Sequence, residues 1–300
     1  MMRSLLFIPA DSERKMEKAL GCGADALILD LEDSVATAAK ATARQRAAAF
    51  LEHAGLAPER PRLIVRVNPL DSDNIELDLA AIVPMQPDLI LLPKAVGGQA
   101  VAHLDAKLTV HEAQAGLPEG CVGLLALAIE TGPALFAAGS FANASPRLAG
   151  LTWGAEDLAA DLGAQASRHA DGSLIEPCRL ARSLCLAGAA TAQVPAYETV
   201  YARLGDTDGL AAIATQAMFD GFAGMLAIHP GQVATINEAF TPSPAAIGEA
   251  QEIAAVFAAA PDAGVVSLHG RMIDMPHLKR AQRVLALARQ AEDSMRDHGR

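Results

Sequence analysis

The feature that most constrains this chain is a series of short, unbroken apolar runs, each ending in charged or turn-forming residues and followed by a stretch with helical spacing. The runs are Ser4 to Ile8, Ala26 to Leu31, Leu63 to Pro69, Leu89 to Lys94, Leu124 to Ile129, Leu148 to Trp153, Ala196 to Val200 and Gly224 to Pro230. Between them lie alanine-rich segments such as Ala36 to Leu51, Glu176 to Ala190 and Thr207 to Asp220. A strand that is apolar at every position, rather than at alternate ones, is buried on both faces, as in a parallel sheet covered by helices. Eight such alternations predict an α/β fold with a (β/α)8 barrel over about residues 1 to 240. An open doubly wound sheet is the rival. Its nucleotide-binding form has little support, because no G-x-G-x-x-G or G-K-[ST] loop follows any of the runs.

Thr241-Pro242-Ser243-Pro244 reads as a hinge into a C-terminal extension, residues 241 to 300. There a helix to about Ala259, a short strand at Val265 to Leu268, a turn at Gly270 and a long last helix are expected. So small a segment cannot build a core alone, so it should pack on the barrel or on a neighbouring subunit, and the second choice makes a homo-oligomer. Although 51% of the residues are hydrophobic, no window of about 18 of them is free of charges or Gly/Pro breaks, which argues against a membrane span. The start of the chain lacks the long apolar core and small-residue cleavage pattern of a secretory signal, so a soluble, cytoplasmic protein is expected. A net charge of −11 speaks against a nucleic-acid surface and requires any anionic ligand to meet a local basic patch. Cys22, Cys121, Cys178 and Cys185 form no C-x-x-C pair and have no histidine at zinc spacing, so reduced, buried thiols are expected, with Cys178 and Cys185 on one helix face.

In a barrel all strand C-termini open on one mouth. Asp30, Glu32, Asp33, Arg66, Lys94, Glu130, Glu156, Asp157, Glu198 and His229 would converge there. Two acid-tipped strands suit Mg2+, a hard cation that takes one or two carboxylates and keeps positions open for substrate oxygens. Glu130 and Asp157 are the expected ligands, with adjacent Glu156 an even rival because only one of the two need point inward. Either acid would also be at home simply as a helix N-terminal charge. Arg66, set among β-branched residues, reads as a clamp on a substrate carboxylate, an ion-pair partner of Glu32 or Asp33, or both. Arg14 and Lys18 share a helix face that is either solvated or placed to meet phosphates. His229, before Pro230, reads as structural, and no G-x-S-x-G elbow supports a serine hydrolase.

The segments Arg3 to Ala10, Asp25 to Asp33, Val65 to Asn68, Leu92 to Lys94, Ile129 to Thr131, Gly154 to Leu158 and Ala227 to Pro230 together resemble the citrate lyase β-subunit-like family. That family includes malyl-CoA and citramalyl-CoA lyases, within the wider aldolase/citrate lyase superfamily. The resemblance spans nearly the whole chain. It implies a (β/α)8 TIM barrel, Mg2+ on Glu130 and Asp157 rather than Glu156, Arg66 on the substrate, and Arg14 and Lys18 near the CoA phosphates. It further implies a carbon–carbon lyase or aldolase joining or separating a 2-oxo acid and a CoA thioester, with hydrolysis of such a thioester as an alternative at the same site. Relatives carry an aspartate as general acid/base in a Leu-Asp-Gly segment, often lent by a neighbouring subunit, and a trimer is the favoured assembly. Here that segment reads Ser267-Leu268-His269-Gly270, so His269 takes the proton-moving role or marks a barrel that only binds such ligands. Glu198 likewise stands where relatives often carry aspartate.

Overall fold

The computed structural model describes residues 2–57 and 59–297, with side chains described up to residue 289. Eight parallel strands close on themselves: β1 (Ser4–Pro9), β2 (Ala26–Asp30), β3 (Arg62–Arg66), β4 (Leu89–Leu92), β5 (Gly123–Ile129), β6 (Leu148–Trp153), β7 (Ala196–Glu198) and β8 (Gly224–Ala227). β1 pairs with β8 as well as with β2, which completes the ring. The helices between strands are α1 (Glu13–Leu20), α2 (Lys40–Ala54), α3 (Ile75–Ile82), α4 (Gly97–Gln114), α5 (Gly132–Ala137), α6 (Ala155–Asp161), α7 (Glu176–Ala192) and α8 (Thr207–Asp220), and α9 (Val233–Ala239) follows β8. The expected (β/α)8 barrel is the observed architecture. Every residue of β2 and β4 is buried, as their continuous apolar runs require.

Inside the ring the side chains alternate. Leu5, Ala26, Ile28, Ile64, Leu89, Leu91, Leu125, Leu127, Tyr197 and Leu226 form one buried cluster. Gly150 makes room for it, because a Cβ there would lie 2.7 Å from the Tyr197 ring. Ion pairs tie the loops at the strand N-termini: Arg3 to Asp25, Arg60 to Asp88, and Arg147 in a fork onto the fully buried Glu112 at 2.6 and 2.7 Å. The N-terminal face of such a barrel is where stabilising contacts collect, opposite the mouth. All four cysteines are free thiols; Cys178 and Cys185 are buried on α7, but Cys22 is half-buried and Cys121 exposed, so the expectation of burial holds for two of the four.

The chain divides into two compact units, Met2–Asn237 and the residues from Glu238 onward. The second contains α10 (Pro244–Ala259), β9 (Val265–Leu268), β10 (Arg271–Asp274) and α11 (Met275–Asp297). Contrary to the expectation that this segment could not build a core alone, Ala250, Ile253, Phe257, Ile273 and Ala281 make a small one of its own, because β9 and β10 pack with α10 and α11. β9 and β10 form an antiparallel hairpin, and β10 was not anticipated from the sequence. Its two-residue loop, His269-Gly270, has φ of +51° and +74°, the pattern of a type I′ turn whose twist matches the strands. No helix among the described residues is long and apolar enough to cross a membrane.

Candidate functional site

The site starts from the period of two along β2 and β3. Ala26 and Ile28 point inward, so Asp30 does too, and Ile64 brings Arg66 inward in the same way. Asp30 and Arg66 are register partners on neighbouring strands. The Arg66 Nε and Nη2 each donate to Asp30 at 2.7 Å, and Nη1 lies 2.9 Å from Glu32 Oε2. The guanidinium also covers the Phe7 ring at 4.8 Å. Burial by itself would lift the Asp30 carboxyl, but the Arg66 guanidinium outweighs it and holds that carboxyl below its usual range. Arg66 is in turn held protonated against its own burial by Asp30, Glu32 and Glu130.

Glu130 reaches the interior by a different route. Leu125 and Leu127 point inward, a phase that would leave Glu130 facing out. The β5–β6 register shifts between Leu127 and Ile129, and a bulge of this kind re-aims the side chains that follow it. Gly154 then supplies the space: a Cβ there would stand 2.9 Å from the Glu130 Cβ and 3.0 Å from Oε2. The Lys94 main-chain N–H donates to Glu130 Oε1, in a residue with φ of +50°, strained for a side chain of that kind. The Lys94 ammonium donates to Glu32 Oε1 at 2.5 Å and lies 3.6 Å from Asp33. One residue thus braces two acids, one through its backbone and the other through its side chain.

Burial pushes the Glu130 carboxyl up to about 8; the Lys94 N–H opposes this, and the charges of Asp157 and Glu32 add to it. Glu32 is raised chiefly by burial as well. A buried carboxylate made reluctant to ionise by neighbouring carboxylates is a place where a divalent cation lowers the free energy. The donor set fits a hard cation. It holds oxygen ligands only, Glu130 with half-buried Asp157 from the first turn of α6, and no larger group of His, Cys, Asp or Glu gathers among the described residues. Glu156 is exposed and accepts from Ser167 Oγ at 2.7 Å.

Of the other sequence candidates, Asp33 is exposed and stands beside Lys94, so Asp30, rather than Asp33, is the second acid on Arg66. Glu198 does not join the mouth. Tyr197 takes the inward phase of β7, and Glu198 faces α7, accepting from Trp153 Nε1 at 2.7 Å and Arg182 Nε at 2.5 Å. His229 is exposed and its Nδ1 accepts from the Gly231 N–H, capping the turn after β8. Arg14 and Lys18 are exposed on α1, which leaves the C-terminal end of β1. His269 lies in the second unit at the hairpin tip, with its Nε2 2.9 Å from Glu252 Oε2. Sequence reasoning missed the part played by Gly154 and the backbone of Lys94. The adjacency of Gly154 to the acid pair was a signal for the first; nothing in the residue type announces the second.

Residues 3–230 match the family model described as HpcH/HpaI aldolase/citrate lyase. The chain is 33% identical over 291 residues to the citrate lyase subunit beta of Leuconostoc mesenteroides subsp. cremoris, covering 96% of this chain and 93% of that one. It is 37% identical over 292 residues to the (3S)-malyl-CoA thioesterase of Cereibacter sphaeroides, covering 95% and 94%. Among solved structures, the protein CitE from Mycobacterium tuberculosis in complex with magnesium, acetoacetate and coenzyme A is similar with a TM-score of 0.78 and 32% identity, covering 96% of this chain and 98% of that one.

Proposed function

The chain belongs to the HpcH/HpaI aldolase/citrate lyase family, and from that premise we propose that it is a Mg2+-dependent carbon–carbon lyase acting on a CoA-linked 3-hydroxy acid of the malyl, citramalyl or citryl type. The observation that supports this reading is that Glu130 lies against Gly154, which opens α6 three residues before Asp157, while Arg66 is held inward at the end of its own strand by Asp30. Glu130 and Asp157 would hold the Mg2+, with no other cofactor implied. When bound it supplies a positive centre for the carboxylate and oxygen of the oxo-acid half.

Arg66 has committed Nε and one N–H of Nη2 to Asp30, while Nη1 stands in ion-pair contact with Glu32 Oε2 without a hydrogen bond to it. That leaves one N–H on Nη2 and those of Nη1, enough for a substrate carboxylate in two-point contact. Asp30 and Glu32 keep the fork from turning, and Lys94 holds Glu32. In cleavage, the substrate hydroxyl loses its proton, the bond between its carbon and the thioester α-carbon breaks, and the electron pair stays on the thioester as an enolate. A proton returned to that carbon gives the acyl-CoA, and the other product is the 2-oxo acid. His269 is the proposed proton carrier, because an imidazole both takes and returns a proton near neutral pH. Arg14 and Lys18, exposed on α1, are proposed to meet the CoA phosphates. A homo-oligomer, a trimer first, is proposed for the assembly.

Similarity to a (3S)-malyl-CoA thioesterase supports a second reading, hydrolysis of the thioester in the same mouth. Incubation with malyl-, citramalyl- and citryl-CoA and Mg2+ separates the two: lyase action releases 2-oxo acid and acyl-CoA, thioesterase action releases free thiol. Turnover no greater than that of Glu130→Ala on all three substrates sinks both and leaves a barrel that only binds such ligands.

A further inference from the structure

A cavity of about 370 Å³ opens outside the barrel, between α7, α8 and the loop before α7, lined by Arg168, Ser173, Leu174, Arg179, Arg182 and Ile213 among others. In a chain with net charge −11, three arginines on one cavity wall are out of keeping with the rest. Arg203 adds a fourth beside it, 3.6 Å from where a Cβ on Gly172 would stand. The only acid on the wall is Glu198, and its charge is already spent: Oε1 accepts from the Trp153 indole and the Thr199 N–H, and Oε2 accepts from Arg182. Arg182 gives a further N–H to Asp220, and Arg179 gives one to Glu176 at 3.0 Å in an exposed pair that solvent screens.

Arg168 is therefore in surplus. It is half-buried, gives one N–H to the Gly172 carbonyl at 3.0 Å and lies over the Tyr201 ring at 5.5 Å. No carboxylate among the described residues reaches it at ion-pair distance, and the fields of Glu198 and Glu156 do not make up for its burial, which lowers its pKa. A cation desolvated without a counter-charge is costly unless a ligand provides one. The aliphatic side chains of Leu174 and Ile213 on the same wall suit a short hydrocarbon chain better than a bare inorganic ion.

We propose that this cavity binds a short-chain dicarboxylate, held by Arg168, Arg179 and Arg182, at a site separate from the mouth that Arg66 occupies. The site does not depend on the reaction proposed above. The protein carries its own reporter, because Trp153 is the only tryptophan and its indole N–H bonds the Glu198 that lines the cavity. Glutarate and inorganic phosphate are the probes, titrated into the full-length protein by calorimetry and by tryptophan emission. The expected result is saturable glutarate binding that shifts the emission, survives Arg66→Met, and weakens roughly tenfold or more in Arg168→Met through loss of a charge-assisted hydrogen bond. Arg179→Gln, at a position 65% exposed and so harmless to folding, should weaken it severalfold if Arg168→Met proves unstable. Absence of either signal, loss of binding in Arg66→Met, indifference to both cavity variants, or tighter binding of phosphate than of glutarate would each overturn the proposal.

Discussion

At the scale of single residues, the site is governed by what surrounds Glu130. Its folded pKa of about 8, against 4.5 for the free side chain, has a definite sign. Between those values the unfolded chain has released a proton that the metal-free native state retains, so metal-free stability falls as pH rises through this window. Thermal melts should therefore show Mg2+ raising the midpoint more at about pH 8 than at about pH 6, and Glu130→Gln abolishing the difference. Gly154→Ala sets a methyl 3.0 Å from the same carboxylate. It should cost roughly 1–3 kcal/mol of stability by overpacking and weaken Mg2+ binding in calorimetry, whereas a similar change at exposed Gly205, with nothing nearby, should do neither. The Asp30–Arg66 clamp was within reach of the sequence, since both residues keep the inward phase of Ile28 and Ile64. The inward turn of Glu130 was not readable in that way: it depends on a bulge that no residue in Leu127-Ala128-Ile129 advertises. Glu198 misled for a related reason, because a three-residue strand does not reveal which phase faces in.

At the scale of elements, the barrel is fastened from below. Arg147, just before β6, is held by Glu112 and Asp105 of α4 and by the Val122 carbonyl before β5. Burial would raise the Glu112 carboxyl, but the Arg147 fork and two backbone N–H groups bring it down to about 2. This contribution is fully present above about pH 4.5 and is lost as pH falls toward 2. Glu112→Gln should cost about 3 kcal/mol at neutral pH and flatten the acid limb of the stability profile, followed by urea unfolding across that range. The strands themselves were legible as runs, with ends shifted by a few residues. β10 escaped because Arg271-Met272-Ile273-Asp274 is too short and mixed to announce a strand; its partner β9 defines it.

At the scale of the whole molecule, the proposed metal ligands and the proposed proton carrier belong to different compact units. If the extension serves a neighbouring barrel, mixing Glu130→Gln chains with His269→Ala chains should restore part of the turnover that neither shows alone, because a Glu130→Gln tail set on a His269→Ala barrel makes a complete site, while the reverse contact carries both lesions. If each tail serves its own barrel, the mixture stays inactive. Light scattering should give a mass near three chains, independent of concentration. His269 itself occupies a two-residue turn with positive φ, where Asn and Asp are more at ease than histidine. His269→Asp should therefore keep or slightly raise the melting temperature while changing the pH profile of turnover. A hairpin tip is among the cheapest places in a protein to exchange a side chain, because little is buried there: His269 is exposed and meets Glu252 at the surface. A lineage built this way can swap the acid–base group that works on its substrate as freely as a surface residue, and explore new chemistry without reworking the barrel.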